Sequence, residues 1–199
     1  MIRKPAPENP LAPEFLLLAY CHGYFPMADS RTGPINWYSP DPRAILELQD
    51  FSMTRSLRQA LRKHLYLIRV NTSFEGVIRG CADRRDSWIS EQIIKAYTDL
   101  HRLGYAHSVE AWKDESLVGG LYGVSIGGAF FGESMFHRKV HASSYALAFL
   151  VERLSERGFE LLDIQFMTEH FSRLGAREMR REDYLARLRR AIRKACAFV

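Results

Sequence analysis

Residues 106–135 read AHSVEAWKDESLVGGLYGVSIGGAFFGESM, and this stretch decides the fold. Small, β-branched and aromatic residues dominate three runs within it, at 106–112, 116–126 and 129–135. A Lys-Asp-Glu segment and a Gly-Gly segment separate the runs, and connections this short join neighbouring antiparallel strands. The stretch therefore predicts a three-stranded antiparallel meander.

Helices and strands are predicted on both sides of this meander from apolar spacing and capping residues. Upstream lie helices at 15–20, 53–63, from Ser73 onward and 91–102, and strands at 44–48 and 65–70. Downstream lie a helix from 142 that ends at Gly158, a strand at 161–166, a short helix at 169–174 and a basic closing helix. Residues 1–12 are expected to form a loose lead-in and 26–42 an irregular loop, because both are rich in turn residues. This order predicts an α+β fold in which helices flank a mixed sheet.

The composition describes an ordinary globular chain with a modest basic excess. It has 199 residues, 47% of them hydrophobic, and a net charge of +5. No apolar run reaches the length of a membrane span, and the first residues lack the pattern of a secretory signal. Three scattered cysteines form neither a disulfide framework nor a CxxC pair, which favours a reducing cytoplasm.

Two polar residues interrupt an otherwise apolar predicted strand near the end of the chain. Asp163 and Gln165 alternate with Ile164 and Phe166, so they are expected to share one face. Buried polar residues are mostly satisfied within the protein. A structural pair that holds a neighbouring loop and a pair aimed at a substrate therefore remain equal alternatives on the residues alone.

A carboxylate interrupts the last strand of the meander in the same way. Strand alternation predicts that Phe131, Glu133 and Met135 share one face, and Gly132 leaves room for a close approach. We favour a mostly apolar pocket around Glu133. The alternative is an ion pair between Glu133 and one of the two basic residues at 138 and 139.

Basic residues form two helical stripes, each of which is also compatible with a solvated helix face. Arginine suits phosphate geometry, and two stripes in a chain of this size favour a polyphosphate partner. The first stripe contains Arg55, Arg58 and Arg62, and the second contains Arg187, Arg190 and Lys194.

The sequence carries no signature of a cofactor site or of a metal centre. It contains no GxxxxGK[ST], no GxGxxG after a strand and no HExxH, and its seven histidines lack the spacing of metal ligands. No serine lies in a GxSxG turn either. We therefore expect no cofactor and no metal.

Taken together, a series of short motifs resembles the leucyl/phenylalanyl-tRNA–protein transferase family. They follow the family order from about residue 16 to the end of the chain. The motifs are Ala19-Tyr20, Gly23-Tyr24-Phe25-Pro26, Trp37, Ser39-Pro40-Asp41-Pro42-Arg43, Arg55-Ser56, Trp88-Ile89, Ala96-Tyr97, Leu100-His101, Leu103 to Glu110, Val118 to Gly123, Phe130 to Phe136, Asp163, Gln165, His170 and Leu174-Gly175-Ala176-Arg177.

This resemblance implies a small, shortened N-terminal domain at 1–43 and an acetyltransferase-like domain at 44–199 with a Gcn5-related sheet. It implies an enzyme that moves leucine or phenylalanine, with methionine as a further candidate, from tRNA to the amino terminus of proteins that begin with lysine or arginine. The product would be marked for N-degron proteolysis in the cytoplasm. Because an aminoacyl ester is already activated, the reaction needs neither ATP nor a metal, only positioning and stabilisation of an oxyanion.

The resemblance also implies roles for individual residues. Asp163 is expected to orient the acceptor amine, Gln165 to bind the reacting carbonyl region, and Glu133 to help place the aminoacyl adenosine. The remaining roles fall into three groups. The apolar pocket is assigned Leu121, Phe130, Met135 and Leu162, the adenosine is assigned Trp37 and Trp88, and the phosphates of the acceptor stem are assigned Arg55, Arg58, Arg62 and Lys63.

The chain departs from the family pattern at several points. The glycine-rich stretch before the first helix is missing, Ser144 stands where a lysine is usual, and Arg173 replaces a serine. These changes bear on the preferred aminoacyl group or acceptor. The alternatives are a CoA-dependent N-acetyltransferase, which would need a glycine-rich loop near residue 142, and a non-catalytic RNA-binding module.

Overall fold

The predicted meander forms the centre of the sheet. A computed structural model describes residues 9–84 and 86–199, and in it β5 (Ala106–Lys113), β6 (Ser116–Ile126) and β7 (Ala129–His137) pair antiparallel in succession. Asp114 and Glu115 both adopt positive φ, as the tight hairpin turns that match strand twist require. The meander prediction is confirmed.

The other elements follow the predicted order closely. The remaining strands are β1 (Phe25–Ala28), β2 (Ile35–Tyr38), β3 (Arg43–Leu46), β4 (Leu67–Val70), β8 (Leu161–Gln165) and β9 (Ala176–Met179). The helices are α1 (Pro13–Cys21), α2 (Arg55–Arg62), α3 (Phe74–Ala82), α4 (Glu91–Arg102), α5 (Ala142–Glu156), α6 (Glu169–Arg173) and α7 (Arg181–Ala191), and a 3₁₀ turn covers Leu48–Asp50. Helix α4 begins and ends as its capping residues predict, since the Ser90 hydroxyl accepts a hydrogen bond from the Ile93 amide and Gly104 adopts a φ of +82°.

The main sheet has the order β4-β5-β6-β7-β8-β3-β9, with β7 and β8 parallel and the other neighbours antiparallel. Helices pack on both faces, so an α+β fold with a mixed sheet is confirmed. Alternation divides the core accordingly. Phe131 packs with α1, α3 and α4 on one face, whereas Phe130 packs with α5 on the other.

One prediction about an irregular segment was wrong, and one strand was not predicted. Residues 26–42 contain the hairpin β1–β2, in which Phe25 is paired with Tyr38, because aromatic packing outweighs the turn residues of this segment. The residue pattern did not indicate β9, whose residues Ala-Arg-Glu-Met lie at the sheet edge and are partly buried or exposed. An edge strand of this kind is defined by its pairing with β3 rather than by its composition.

Within the described ranges, no helix combines the length and the apolar character that a membrane crossing would demand.

Helix α1 provides a direct test of the packing on the α3–α4 face. Leu16 is fully buried there, whereas Leu18 on the same helix is 55% exposed. We expect Leu16→Ala to lower the free energy of unfolding by about 2–5 kcal/mol, because it removes buried methyl groups and leaves a cavity. Leu18→Ala is the matched control and should change it by less than about 0.5 kcal/mol in urea titrations. Equal effects of the two substitutions would contradict the packing.

Candidate active site

Strands β7 and β8 run in parallel only briefly, and a polar site lies where their pairing stops. Their register ends at the pair formed by Phe131 and Asp163, although both strands continue. Just beyond this point β7 contains a β-bulge, because Tyr122 pairs with Ser134 and the next residue of β6 pairs with Gly132. Glu133 is the extra residue between them.

The bulge corrects one prediction. Strict alternation placed Phe131, Glu133 and Met135 on one face. In the structure Phe131 belongs to the α3–α4 face and Met135 to the α5 face. An extra residue shifts the alternation by one position, so the strand reverses its faces at Glu133.

The Glu133 carboxylate is held by three side-chain donors. The Tyr20 hydroxyl donates to its Oε1 at 2.7 Å, the Tyr97 hydroxyl to its Oε2 at 3.1 Å, and the Gln165 amide to its Oε1 at 3.2 Å. The alternative ion pair is not formed, since in the described part of the chain Arg138 instead lies over the Phe136 ring at 5.4 Å. Among the residues that the structure describes, Glu133 therefore has hydrogen bonds but no cation in contact with it.

The balance of these surroundings sets the protonation of Glu133. Burial raises the pKa of this carboxyl to about 7, while the hydrogen bonds from Tyr20 and Tyr97 oppose the rise. The charge of Asp163 raises the pKa further, and that of Arg43 lowers it. Both forms of the carboxyl are thus accessible near neutral pH.

Asp163 lies behind Gln165 and is fully buried against protein groups. Arg43 binds it with two nitrogens, at 2.9 Å to Oδ1 and 2.6 Å to Oδ2, and the Tyr184 hydroxyl donates to Oδ2 at 2.7 Å. A third Arg43 hydrogen bond reaches the Gly23 carbonyl at 3.1 Å. This arrangement joins β8 to β3, α7 and the end of α1.

Arg43 is itself enclosed by aromatic rings. Its guanidinium carbon lies 4.7 Å from the centre of the Phe25 ring and 4.6 Å from that of Tyr184. Burial and the adjacent carboxylate raise the pKa of Tyr184, so its hydroxyl remains a hydrogen-bond donor to Asp163. Paired on one side and stacked on two others, the buried cation is fully compensated.

Gln165 adopts an unusual backbone conformation. Its φ is +60°, and the Phe166 amide donates to the Ile164 carbonyl at 2.7 Å, which together make a γ-turn. The prediction of a regular strand through Phe166 was therefore wrong at its end. The Asp163 carboxylate accepts the Gln165 amide hydrogen at 2.9 Å and so stabilises the turn that directs the Gln165 side chain toward Glu133.

A cavity of about 220 Å³ opens beside Glu133 and Gln165. Its wall contains six of the residues predicted for the site, together with Arg84 and apolar residues of α5, β8 and α6. The predicted members are Trp88, Leu121, Glu133, Met135, Leu162 and Gln165, and the added ones include Arg84, Leu147, Leu150, Ile164 and Phe171. The apolar spacing along α5 was the one available signal for Leu147 and Leu150.

Two residues that were predicted to bind the substrate, one in the apolar pocket and one at the adenosine, lie outside this cavity. Phe130 is fully buried and packs on Phe198 with ring centres 5.2 Å apart, so it supports the apolar wall without lining it. Trp37 packs edge-on against Phe15 at 5.3 Å, in the N-terminal hairpin. The tyrosines at 20 and 97 occur in the quoted motifs, but no role was predicted for them.

The two basic stripes have different surroundings. Arg187 pairs with Glu47, and both Arg190 and Lys194 pair with Glu160, so the C-terminal stripe is neutralised within the protein. On α2, apolar side chains face inward and the basic ones point outward without an ion pair in the part of the chain that is described. These exposed residues are Arg55, Arg58, Arg62 and Lys63.

No group of three or more histidine, cysteine or acidic side chains is arranged to hold a metal ion within residues 9–84 and 86–199. The three cysteines are free thiols.

An apolar cavity that ends at a carboxyl and an amide is typical of enzymes that hold a small apolar group and act on the polar atoms attached to it. The fold and the site thus define the class as an α+β protein that presents a carboxyl and an amide at the end of an apolar cavity.

Comparison with known proteins identifies the family within this class. A family model described as leucyl/phenylalanyl-tRNA protein transferase matches residues 45–189, and the model of its N-terminal domain matches residues 9–41. Curated relatives with the same name are 52% identical in Gloeobacter violaceus, over 94% of this chain and 97% of the relative, and 50% identical in Chlorobaculum tepidum, over 94% and 98%. The chain belongs to the leucyl/phenylalanyl-tRNA–protein transferase family, as its motifs predicted.

The protonation of Glu133 can be measured directly. Because Tyr20 lowers the pKa of Glu133, Tyr20→Phe should move its midpoint from about 7 to a higher pH in a carbon-13 carboxyl NMR titration. Tyr24→Phe, at a tyrosine that is 46% exposed, should leave the midpoint unchanged. The folded protein binds this proton more tightly than the unfolded chain, so the contribution of Glu133 to stability decreases as pH rises from 4.5 to about 7. A Glu133 midpoint near 4.5 in the wild type would contradict this account.

Proposed function

We propose that this chain transfers leucine or phenylalanine from an aminoacyl-tRNA to the amino terminus of an acceptor protein. Membership of the family supports the reaction. The observation that carries the proposal for this chain is the cavity of about 220 Å³, which is apolar along most of its wall and polar where Glu133 and Gln165 meet. We further propose that acceptors begin with lysine or arginine, that methionine is a further candidate donor, and that the products enter N-degron proteolysis in the cytoplasm.

The side chain of the transferred amino acid would occupy the apolar part of the cavity. Leu121, Met135 and Leu162 line that part, and the buried Phe130 packs in the same apolar cluster. An apolar pocket separates ligands that differ by a methylene by only about 1–3 kcal/mol, so one pocket can accept both leucine and phenylalanine.

The polar end of the cavity would hold the reacting atoms. The acceptor nitrogen attacks the ester carbonyl, its bond to the carbonyl carbon forms, and the bond to the ribose oxygen breaks, with the amine proton passing to the departing oxygen. We assign the Gln165 amide to the carbonyl region, where a fixed donor stabilises the developing oxyanion. We assign Glu133 to the α-amino group of the aminoacyl adenosine, because its carboxyl has no cation in contact with it among the described residues.

Asp163 receives a positioning role in this proposal. The resemblance implied direct contact with the acceptor amine, but the four hydrogen bonds to its carboxylate all come from the protein. One of them holds the strained turn at Gln165. Asp163 would therefore act through Gln165, by fixing the position of the amide.

The finer features of the fold are part of the same proposal. The observed order of α3, α4, the meander, α5 and β8 supports a Gcn5-related sheet. The two family models meet between residues 41 and 45, which supports a division into 1–43 and 44–199. The α5 start at His141 lacks a glycine-rich loop, so a CoA-dependent acetyltransferase is disfavoured.

For the nucleic acid, we propose that Trp88 contacts the terminal adenosine and that the α2 stripe binds acceptor-stem phosphates. Trp88 lines the cavity, whereas Trp37 does not. If Trp37 binds the adenosine, it would contact a part of it that lies outside the cavity.

The deciding experiment measures transfer from labelled Leu-, Phe- and Met-tRNA to a peptide that begins with arginine. We expect transfer by the wild type and a loss of about a hundredfold or more in Gln165→Asn, since removing one oxyanion donor costs about that much. Asparagine tolerates the positive φ of this position, so the fold is retained. Its shorter side chain moves the amide away from the carbonyl of the donor. Gln92→Ala, at an exposed site on α4, is the control. Transfer from acetyl-CoA instead of tRNA would overturn the proposal.

The contribution of the α2 stripe to tRNA binding can be tested separately. Arg58→Gln combined with Arg62→Gln should weaken tRNA binding and lower the dependence of log K on log salt by about two units, because two phosphate contacts are lost. Arg102→Gln removes an exposed charge from α4 as a control. Unchanged affinity and salt dependence in the double variant would exclude this phosphate site.

A further inference from the structure

A second and larger cavity adjoins the one described above. Its volume is about 590 Å³, and it shares Arg84 and Met135 with the aminoacyl cavity as a common wall. The Arg84 guanidinium donates to the Met135 carbonyl and so ties the segment after α3 to β7 at this boundary. The two cavities therefore lie on either side of these two residues.

Arginine and histidine side chains are concentrated in this second cavity. Its wall contains three histidines and Arg138 in addition to Arg84, with Asp83 as the acidic member, and the histidines are His137, His141 and His170. The Asp83 carboxylate lies 3.9 Å from Arg138 and is largely exposed, so it compensates only part of the positive charge. We call this space the histidine cavity.

The start of α5 adds further donors. Helix α5 is 15 residues long, and its N-cap His141 has a φ of +65° and no side-chain capping bond. Ser143 and Ser144, in its first turn, line the cavity. Amides in this position favour an anion, and here they add to the charge of Arg84 and Arg138.

The histidine cavity is also joined to α2. Tyr66 follows α2 in the chain, and its hydroxyl donates to the carbonyl of Val140, a cavity residue, at 2.7 Å. The Tyr66 ring packs edge-on against Tyr145 of α5 at 5.5 Å. These contacts place the segment that follows α2 beside the cavity.

We propose that the histidine cavity binds the sugar-phosphate backbone of the last unpaired nucleotides of the tRNA, next to the adenosine that carries the amino acid. This inference rests on the proposed function. The tRNA would then follow a continuous path from the α2 stripe through the histidine cavity to Glu133 and Gln165. Phosphates would contact Arg138 and the α5 start, and the imidazole rings offer surfaces on which bases stack.

The test compares two donors that differ only in the nucleotides before the terminal adenosine. These are Phe-tRNA and phenylalanyl-adenosine, which carries no phosphate. In Arg138→Gln we expect the ratio of kcat/KM for Phe-tRNA to that for phenylalanyl-adenosine to fall several-fold. The slope of log K against log salt for tRNA binding should decrease by about 0.7, the value for one contact on a single strand.

A second substitution guards against an effect on folding. His141→Asn introduces a residue that tolerates the left-handed conformation. It should lower the ratio of kcat/KM for Phe-tRNA to that for phenylalanyl-adenosine. Arg102→Gln is the matched control for the loss of one arginine, and its ratio and slope should equal those of the wild type.

The results separate this inference from the proposed function. An unchanged ratio and slope in Arg138→Gln and His141→Asn, with normal transfer by the wild type, would overturn the histidine cavity as a phosphate site. An equal loss with both donors would overturn it too, because the defect would then lie at the aminoacyl cavity. If the wild type transfers from neither donor, the proposed function fails, and the salt slope still decides whether the cavity binds phosphate.

Discussion

The site depends on one buried ion pair between residues that are 120 positions apart in the chain. Arg43 at the start of β3 binds Asp163 in β8, and the same guanidinium reaches the Gly23 carbonyl after α1 and lies between Phe25 and Tyr184. Removing one partner of such a pair leaves an uncompensated buried charge at a cost of about 3–5 kcal/mol. The pair therefore sets the relative positions of the N-terminal hairpin, the sheet and α7, all of which surround the site.

The functional geometry arises where two strands depart from regular structure. Without its bulge, β7 would direct Glu133 according to strict alternation, and without its γ-turn β8 would continue past Gln165 as an ordinary strand. Each departure is held by the residues around it, since Tyr20 and Tyr97 bind the bulged carboxylate and Asp163 binds the amide of the turn. Strained conformations of this kind persist where the surrounding structure fixes them, and they concentrate at functional sites.

The sequence predicted the elements well and the site geometry in part, for physical reasons that particular residues show. The meander and α4 were predicted from local sequence alone, because the turns of the meander span two residues and α4 is capped by Ser90 and Gly104. Edge strand β9 and hairpin β1–β2 were not predicted, because pairing with other strands outweighs their local composition. The resemblance to the family assigned Glu133 and Gln165 to one site, and in the structure both line one cavity. The partners of Asp163 could not be predicted, because Arg43 and Tyr184 reach it only through the topology of the sheet.

Two carboxyl groups in one site have been given opposite electrostatic surroundings. Arg43 forms an ion pair with Asp163 and makes no direct contact with Glu133. Within the described part of the chain, Glu133 therefore has only neutral hydrogen-bond donors, and burial raises its pKa to about 7. Titratable groups whose surroundings differ in this way take different roles in catalysis. A positively charged amino group that enters the cavity would find its counter-ion at Glu133 and would favour the ionised form of that carboxyl. The same pairing would draw a proton from Glu133 as the ligand binds, which couples occupation of the cavity to the charge state of the site.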